Sequence, residues 1–160
     1  MFNFKLQFCS LVLSDNCDCD SKIINMNIEF SLNEISDVAN KIIAQNPNKI
    51  ILFNGEMGVG KTTLINQLCK DLGVQVATSS PTFSLVNEYQ TFDNQLIYHF
   101  DVFRLKSETE ALDMGIDEYL YSGNWCFIEW SEKIINLIAD EYSIINIKLM
   151  ENGNRQLTFT

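Results

Sequence analysis

Basic residues are scarce in this 160-residue chain. It carries 11 lysines and arginines against 21 acids, a formal net charge of −10. A chain this acidic is a poor holder of nucleic acid by itself, because a phosphate backbone needs a basic face. Only Arg104 and Arg155 are arginines. That scarcity weighs against enzymes that clamp a transferring phosphoryl group with several cations. Histidine occurs once, at His99. The five cysteines, Cys9, Cys17, Cys19, Cys69 and Cys126, are odd in number and form no Cys-x-x-Cys pair. With one histidine they cannot build a zinc site of the usual spacing. They read as reduced thiols in a cytosolic protein. No apolar run approaches the roughly 20 residues that a membrane-spanning helix needs.

What is present suits one folded domain. Hydrophobic residues make up 46% and charged residues 20%, enough for a core and unlike a disordered chain. The first 25 residues differ from the rest: Phe2 to Leu13 is apolar with one lysine, and Asp15 to Asp20 is polar with two cysteines. The cationic start is too weak for a secretory signal, and no small-residue cleavage site follows. The expected organisation is a dispensable extension over 1–25 and one domain over 26–160.

Hydrophobic periodicity then marks the elements. Asn27 to Phe30 alternates as a short strand. Ser31 and Glu34 have the spacing of a capping box, and Ile35, Val38, Ala39, Ile42 and Ile43 follow at helical spacing. Asn46-Pro47-Asn48 stops that helix. Ile50 to Phe53 is a fully apolar run of the kind found in buried parallel strands. A helix is expected from Lys61 to Leu72, ended by Gly73. Thr82 to Tyr89 and Gln95 to Phe103 read as a hairpin across Thr91 to Asn94. Helices are expected after Ser107, from Ile116 to Tyr121, and from Ser131 to Ile138. Trp125 to Ile128 is a buried strand ending at Glu129, and Ile144 to Met150 pairs with Gln156 to Phe159. Strands alternating with helices predict a three-layer α/β domain with a mixed, mainly parallel sheet and a β-hairpin insertion.

Gly55-Glu56-Met57-Gly58-Val59-Gly60-Lys61-Thr62 matches G-x-x-x-x-G-K-[ST] in full. An apolar strand precedes it and a helix follows, which is the context of a phosphate loop. Its glycines let backbone N–H groups turn inward, so Gly58, Val59 and Gly60 are expected to face the phosphates of ATP. The helix N-terminus adds its positive end. Lys61 should bridge the β- and γ-phosphates, Thr62 should ligate Mg²⁺, and Thr63 should reach the α-phosphate.

Such a loop needs a carboxylate at the end of a nearby strand to hold the metal. Two runs end that way: Trp125-Cys126-Phe127-Ile128-Glu129 and Leu96-Ile97-Tyr98-His99-Phe100-Asp101. Glu129 is assigned to Mg²⁺, and Asp101 to the γ-phosphate side, orienting water or the metal's water shell. His99 reads as a core or partner-facing residue. Trp130 either packs over the site or fills the core. Thr82, after Ser80-Pro81, is a candidate switch threonine near the γ-phosphate.

These pieces in this order resemble the TsaE (YjeE) family, the bacterial ATPase of tRNA threonylcarbamoyladenosine modification. The matching stretches are Gly55 to Thr63, Ser80 to Val86, Tyr98 to Leu105, Met114-Gly115-Ile116 and Ile128-Glu129-Trp130. The resemblance spans about residues 27 to 160. It implies a mixed sheet with helices on both sides, weak Mg²⁺-dependent ATP hydrolysis, and a complex with the partner proteins TsaB and TsaD. tRNA would be reached through that complex, at the adenosine beside the anticodon. The resemblance carries the Mg²⁺ role to Thr62 and Glu129 and an ATP-linked role to Asp101. It adds nucleotide contacts near Asn33 and at Arg155. Where the family usually has Glu-Thr and Leu-Gly pairs, the first helix here has Glu34-Ile35 and Val38-Ala39, and the extension has no counterpart.

Two rivals were weighed. A small-molecule kinase wants cationic clamps and a basic lid that this chain lacks. A GTPase wants a guanine-reading Asn-Lys-x-Asp, and neither Asn40-Lys41 nor Asn48-Lys49 is followed by that aspartate. Glu129 is followed by tryptophan rather than by a second acid able to act as general base. That predicts slow turnover by the isolated chain, in the manner of a nucleotide-gated switch.

Overall fold

The computed structural model describes residues 25–75, 78, 81, 84–139 and 141–160. Ser80 and the switch candidate Thr82 lie outside the described residues, as does the expected extension up to residue 24.

Seven strands form one sheet. In chain order they are β1 (Met26–Phe30), β2 (Ile50–Asn54), β3 (Val86–Gln90), β4 (Leu96–Asp101), β5 (Trp125–Glu129), β6 (Ser143–Leu149) and β7 (Arg155–Phe159). Their order across the sheet is β1-β7-β6-β2-β5-β4-β3. The centre, β6-β2-β5-β4, is parallel, and β3, β7 and β1 pair antiparallel at the two sides. The sheet is therefore mixed, as the sequence predicts, but not mainly parallel: three of its pairings are parallel and three antiparallel. The hairpin is no appendage, because its second strand, β4, belongs to the parallel centre.

The central strands are apolar on both faces because both faces are covered there. Helices α1 (Ile35–Ala44) and α2 (Lys61–Asp71) pack on one face. Val38, Ala39 and Ile42 meet Leu64, Ile65 and Leu68 over Ile51, Phe53, Phe127 and Ile145. Each of these valine, leucine, isoleucine and phenylalanine side chains contributes roughly 1.5–3 kcal/mol by leaving water. The short helices α3 (Glu108–Asp113) and α4 (Ile116–Leu120) cover Leu52, Phe100 and Ile128 on the other face. They stop short of the β6-β7-β1 side. There, Asn54, Asn146 and Thr158 form a hydrogen-bonded polar row across three strands, Asn54 to Asn146 at 3.2 Å and Asn146 to Thr158 at 3.3 Å.

Local chemistry explains most element ends. The Glu34 carboxylate accepts from the Ser31 N–H at 2.8 Å and the Ser31 hydroxyl at 2.7 Å. Those bonds hold its pKa below the ordinary carboxylate value. Asn46 (φ 51°) and Gly73 (φ 99°) take the left-handed turns that follow α1 and α2. Ser107 caps α3 by accepting from the Glu110 N–H at 3.2 Å.

Three further expectations need correction. The strand expected from Thr82 starts at Val86, because Leu85 turns into the left-handed region (φ 61°) and its N–H bonds Pro81 O rather than a strand partner. The strand expected to reach Phe103 ends at Asp101, whose own side chain accepts the Phe103 N–H at 3.1 Å and closes a turn. The helix expected from Ser131 to Ile138 is two single 3₁₀ turns, Ser131–Lys133 and Ile135–Leu137. Ile134 (φ −133°) lies between them, buried in the core.

Candidate nucleotide and metal site

The carboxyl ends of the parallel strands converge on one edge of the sheet, the usual place for a ligand in such a fold. Register puts Phe53 beside Glu129, and Glu129 beside Asp101. The chain leaves β2 at Asn54, turns through 55–60 and enters α2 at Lys61. Gly55 sits against β6, where a Cβ would lie 2.5 Å from the Ile147 carbonyl oxygen. Gly58 (φ 80°) and Gly60 (φ 111°) adopt backbone conformations that L side chains rarely take. Val59, between them, is buried and anchors the loop.

Lys61 is 4% exposed. Its Nζ donates to Gly55 O at 2.7 Å and Glu56 O at 3.1 Å, so the side chain folds back across the loop it follows. It also lies 4.1 Å from the centre of the Trp130 ring. Burial lowers its pKa from the ordinary 10.5, and the nearby charges of Glu129, Asp101 and Glu132 oppose that shift. Trp130 reaches this position from a left-handed backbone (φ 63°, ψ 38°), unusual for a bulky residue. Trp130 takes both expected positions: the indole packs over the site, against Phe103 at 4.9 Å between ring centres, and also against the apolar cluster that contains Phe100 and Ile128.

Thr62 Oγ1 donates to Glu129 Oε1 at 2.6 Å, linking the start of α2 to the end of β5. His99 Nε2 lies 3.1 Å from the same oxygen. Asp101 is one strand further out and half-buried, with Oδ1 held by the Phe103 N–H. Lys61, Thr62, Asp101, Glu129 and Trp130 line one cleft of about 330 Å³, with Met57 and Phe103 exposed at its mouth.

The remaining site candidates lie around the loop. Thr63 is exposed on the first turn of α2. Arg155, at the start of β7, donates from Nε to Val59 O at 3.3 Å and from one terminal nitrogen to Gly153 O at 3.0 Å. Asn33 is exposed in the single 3₁₀ turn Leu32–Glu34. The neighbouring Leu32 methyl would stand 4.0 Å from a Cβ at Gly60, so that turn flanks the loop.

The sequence profile described as "Threonylcarbamoyl adenosine biosynthesis protein TsaE" matches residues 30–157. The chain belongs to the TsaE family. The tRNA threonylcarbamoyladenosine biosynthesis protein TsaE of Rickettsia typhi is 41% identical over 118 residues, covering 72% of this chain and 81% of that one. Its namesake in Bacillus subtilis is 36% identical over 115 residues, covering 71% and 70%. The fold is similar to the crystal structure of YdiB from B. subtilis, with a TM-score of 0.67 and 26% identity, covering 85% of this chain and 84% of that one.

One residue of this TsaE-family site was not legible as such. The sequence alone points to a core or partner-facing role for His99. It is fully buried, yet its Nε2 faces the Glu129 carboxylate. The available signal was its place two residues before Asp101 on the same strand, since alternate residues of a strand share a face. The partner that gives it meaning sits on another strand, 30 residues away.

Proposed function

We propose that this chain is the ATP-binding, slowly ATP-hydrolysing subunit of tRNA threonylcarbamoyladenosine modification, working with TsaB and TsaD and using Mg²⁺. The observation that carries the nucleotide part is the 2.6 Å hydrogen bond from Thr62 to Glu129, at the head of a loop whose lysine is already folded over it. A hydroxyl and a carboxylate are hard oxygen donors at a spacing near that of two neighbouring ligands on one small cation. Among the described residues no group of three or more histidines, cysteines or acids could hold a metal unaided. That suits Mg²⁺, which takes one or two protein oxygens and completes its shell with water and substrate phosphate.

In this reading Thr62 and Glu129 would hold the ion, which when bound would neutralise phosphate charge. Lys61 exchanges the Gly55 and Glu56 carbonyls for phosphate oxygens. Gly58, Val59, Gly60 and Thr63 surround the phosphates, while Asn33 and Arg155 flank the nucleotide's outer side. Asp101, pinned through Oδ1, orients the attacking water. No second acid follows Glu129 to take the water's proton, so turnover of the lone chain is slow. Met57 and Phe103 leave an apolar lip at the cleft mouth, 72% and 44% exposed, suited to closure by a partner surface.

The kinase reading is less well supported. The relatives are named for tRNA threonylcarbamoyladenosine biosynthesis, and among the described residues Lys61 and Arg104 are the only cations lining the cleft.

The deciding measurement is ATP turnover by the chain alone and with TsaB, TsaD and tRNA. We expect slow turnover alone and a rise with the full set. Glu129→Ala should lose Mg²⁺-dependent turnover while keeping part of its nucleotide affinity. Fast turnover unaffected by the partners refutes the gated reading, and normal hydrolysis by Glu129→Ala refutes the metal assignment.

A further inference from the structure

His99 is the chain's only histidine and has no solvent exposure. It stands on β4 opposite Phe127 of β5, one pleat before the Asp101–Glu129 pair. Its two ring nitrogens have different surroundings. Nε2 lies 3.1 Å from Glu129 Oε1. Nδ1 is buried and has no hydrogen-bond partner among the described residues.

That asymmetry fixes the proton. A proton on Nδ1 would be a buried donor without an acceptor, and it would turn the bare Nε2 lone pair toward a carboxylate oxygen. Both are unfavourable. A proton on Nε2 removes both problems and makes a charge-assisted bond to Glu129. Glu129 Oε1 then accepts from two sides, His99 and Thr62. Thr62 is itself expected to turn to the ion when Mg²⁺ arrives. His99 is fully buried and does not line the cleft, so its hold on the carboxylate persists.

We infer that His99 is a positioning residue: its Nε2–H fixes the Glu129 carboxylate in the orientation that receives the divalent ion. The inference rests on the proposed metal role of Glu129. Partners that orient a ligating carboxylate matter to the metal directly, and losing one costs about 10–100-fold in metal affinity or activity.

A single histidine makes the test clean. In ¹⁵N-histidine-labelled protein, one imidazole spin system should show a proton on Nε2; a bare Nε2 overturns the inference. The second measurement is Mn²⁺ affinity by electron paramagnetic resonance with ADP present, alongside ADP affinity in chelator. His99→Leu should weaken Mn²⁺ binding at least about tenfold and leave metal-free ADP binding unchanged. His99→Gln, whose amide N–H reaches where Nε2 lies, should restore most of the loss, and His99→Asn, too short to reach, should not. If the leucine variant does not fold, the glutamine–asparagine pair decides: equal Mn²⁺ affinity in the two overturns the inference. Glu129→Gln separates the premises. Should it bind Mn²⁺ like the parent protein, the metal reading has failed; should it lose Mn²⁺ while His99→Leu does not, only the role of His99 has failed.

Discussion

At the scale of the residue, the site holds groups at some cost to the fold. Lys61 is a buried ammonium whose pKa is lowered chiefly by loss of water. A lowered lysine pKa means that the folded state disfavours the charge. That cost is present at neutral pH and is relieved as pH rises through the folded pKa toward the ordinary 10.5. Lys61→Met keeps the apolar stem and removes the charge. It should unfold at a higher denaturant concentration than the parent protein while losing nucleotide binding, a stability–function exchange of a familiar kind. Its advantage should narrow as pH climbs. An advantage that grows with pH would show that the ammonium is stabilised where it lies. Trp130 belongs to the same pattern, since its left-handed backbone sets an indole against Lys61 and Phe103.

At the scale of the element, the phosphate loop depends on how closely β2 hands over to it. Gly55 lies against the Ile147 carbonyl of β6, with no room for a Cβ and with φ at 146°. Gly123 also has a positive φ, 74°, yet nothing lies within 4 Å of a Cβ placed there. Gly123→Ala should cost only backbone strain, about 1–2 kcal/mol. Gly55→Ala must also move backbone and should cost clearly more by chemical denaturation, with loss of nucleotide binding. Equal costs would mean that β6 yields easily. The short elements rely on side chains: Ser107 caps α3, and Lys133 of the first 3₁₀ turn donates to the Phe103 and Leu105 carbonyls, tying that turn to the chain after β4. Motif and spacing made α1, α2 and the parallel strands readable. The stretch from Ser131 to Ile138 misled because a helix and two 3₁₀ turns bury similar apolar positions.

At the scale of the whole molecule, α1 and α2 cover one face of the sheet, α3 and α4 cover part of the other, and a polar row marks the side that no helix of the described residues covers. Among the described residues no helix is long and apolar enough to cross a membrane. With a net charge of −10, the isolated protein should fail to retain tRNA in a filter-binding assay at physiological salt, and should join a tRNA-containing complex only when partners supply the basic surface. Tight, salt-sensitive retention by the chain alone would contradict that. By itself the sequence determined the phosphate loop, the two carboxylates and the family, because Gly-x-x-x-x-Gly-Lys-Thr and the acids ending apolar runs are local patterns. Only the tertiary structure decided which carboxylate meets Thr62, what His99 faces and where Trp130 points. Those depend on neighbouring strands that lie about 30 to 80 residues apart in the chain, and strand order and register are settled by packing, which no local pattern records.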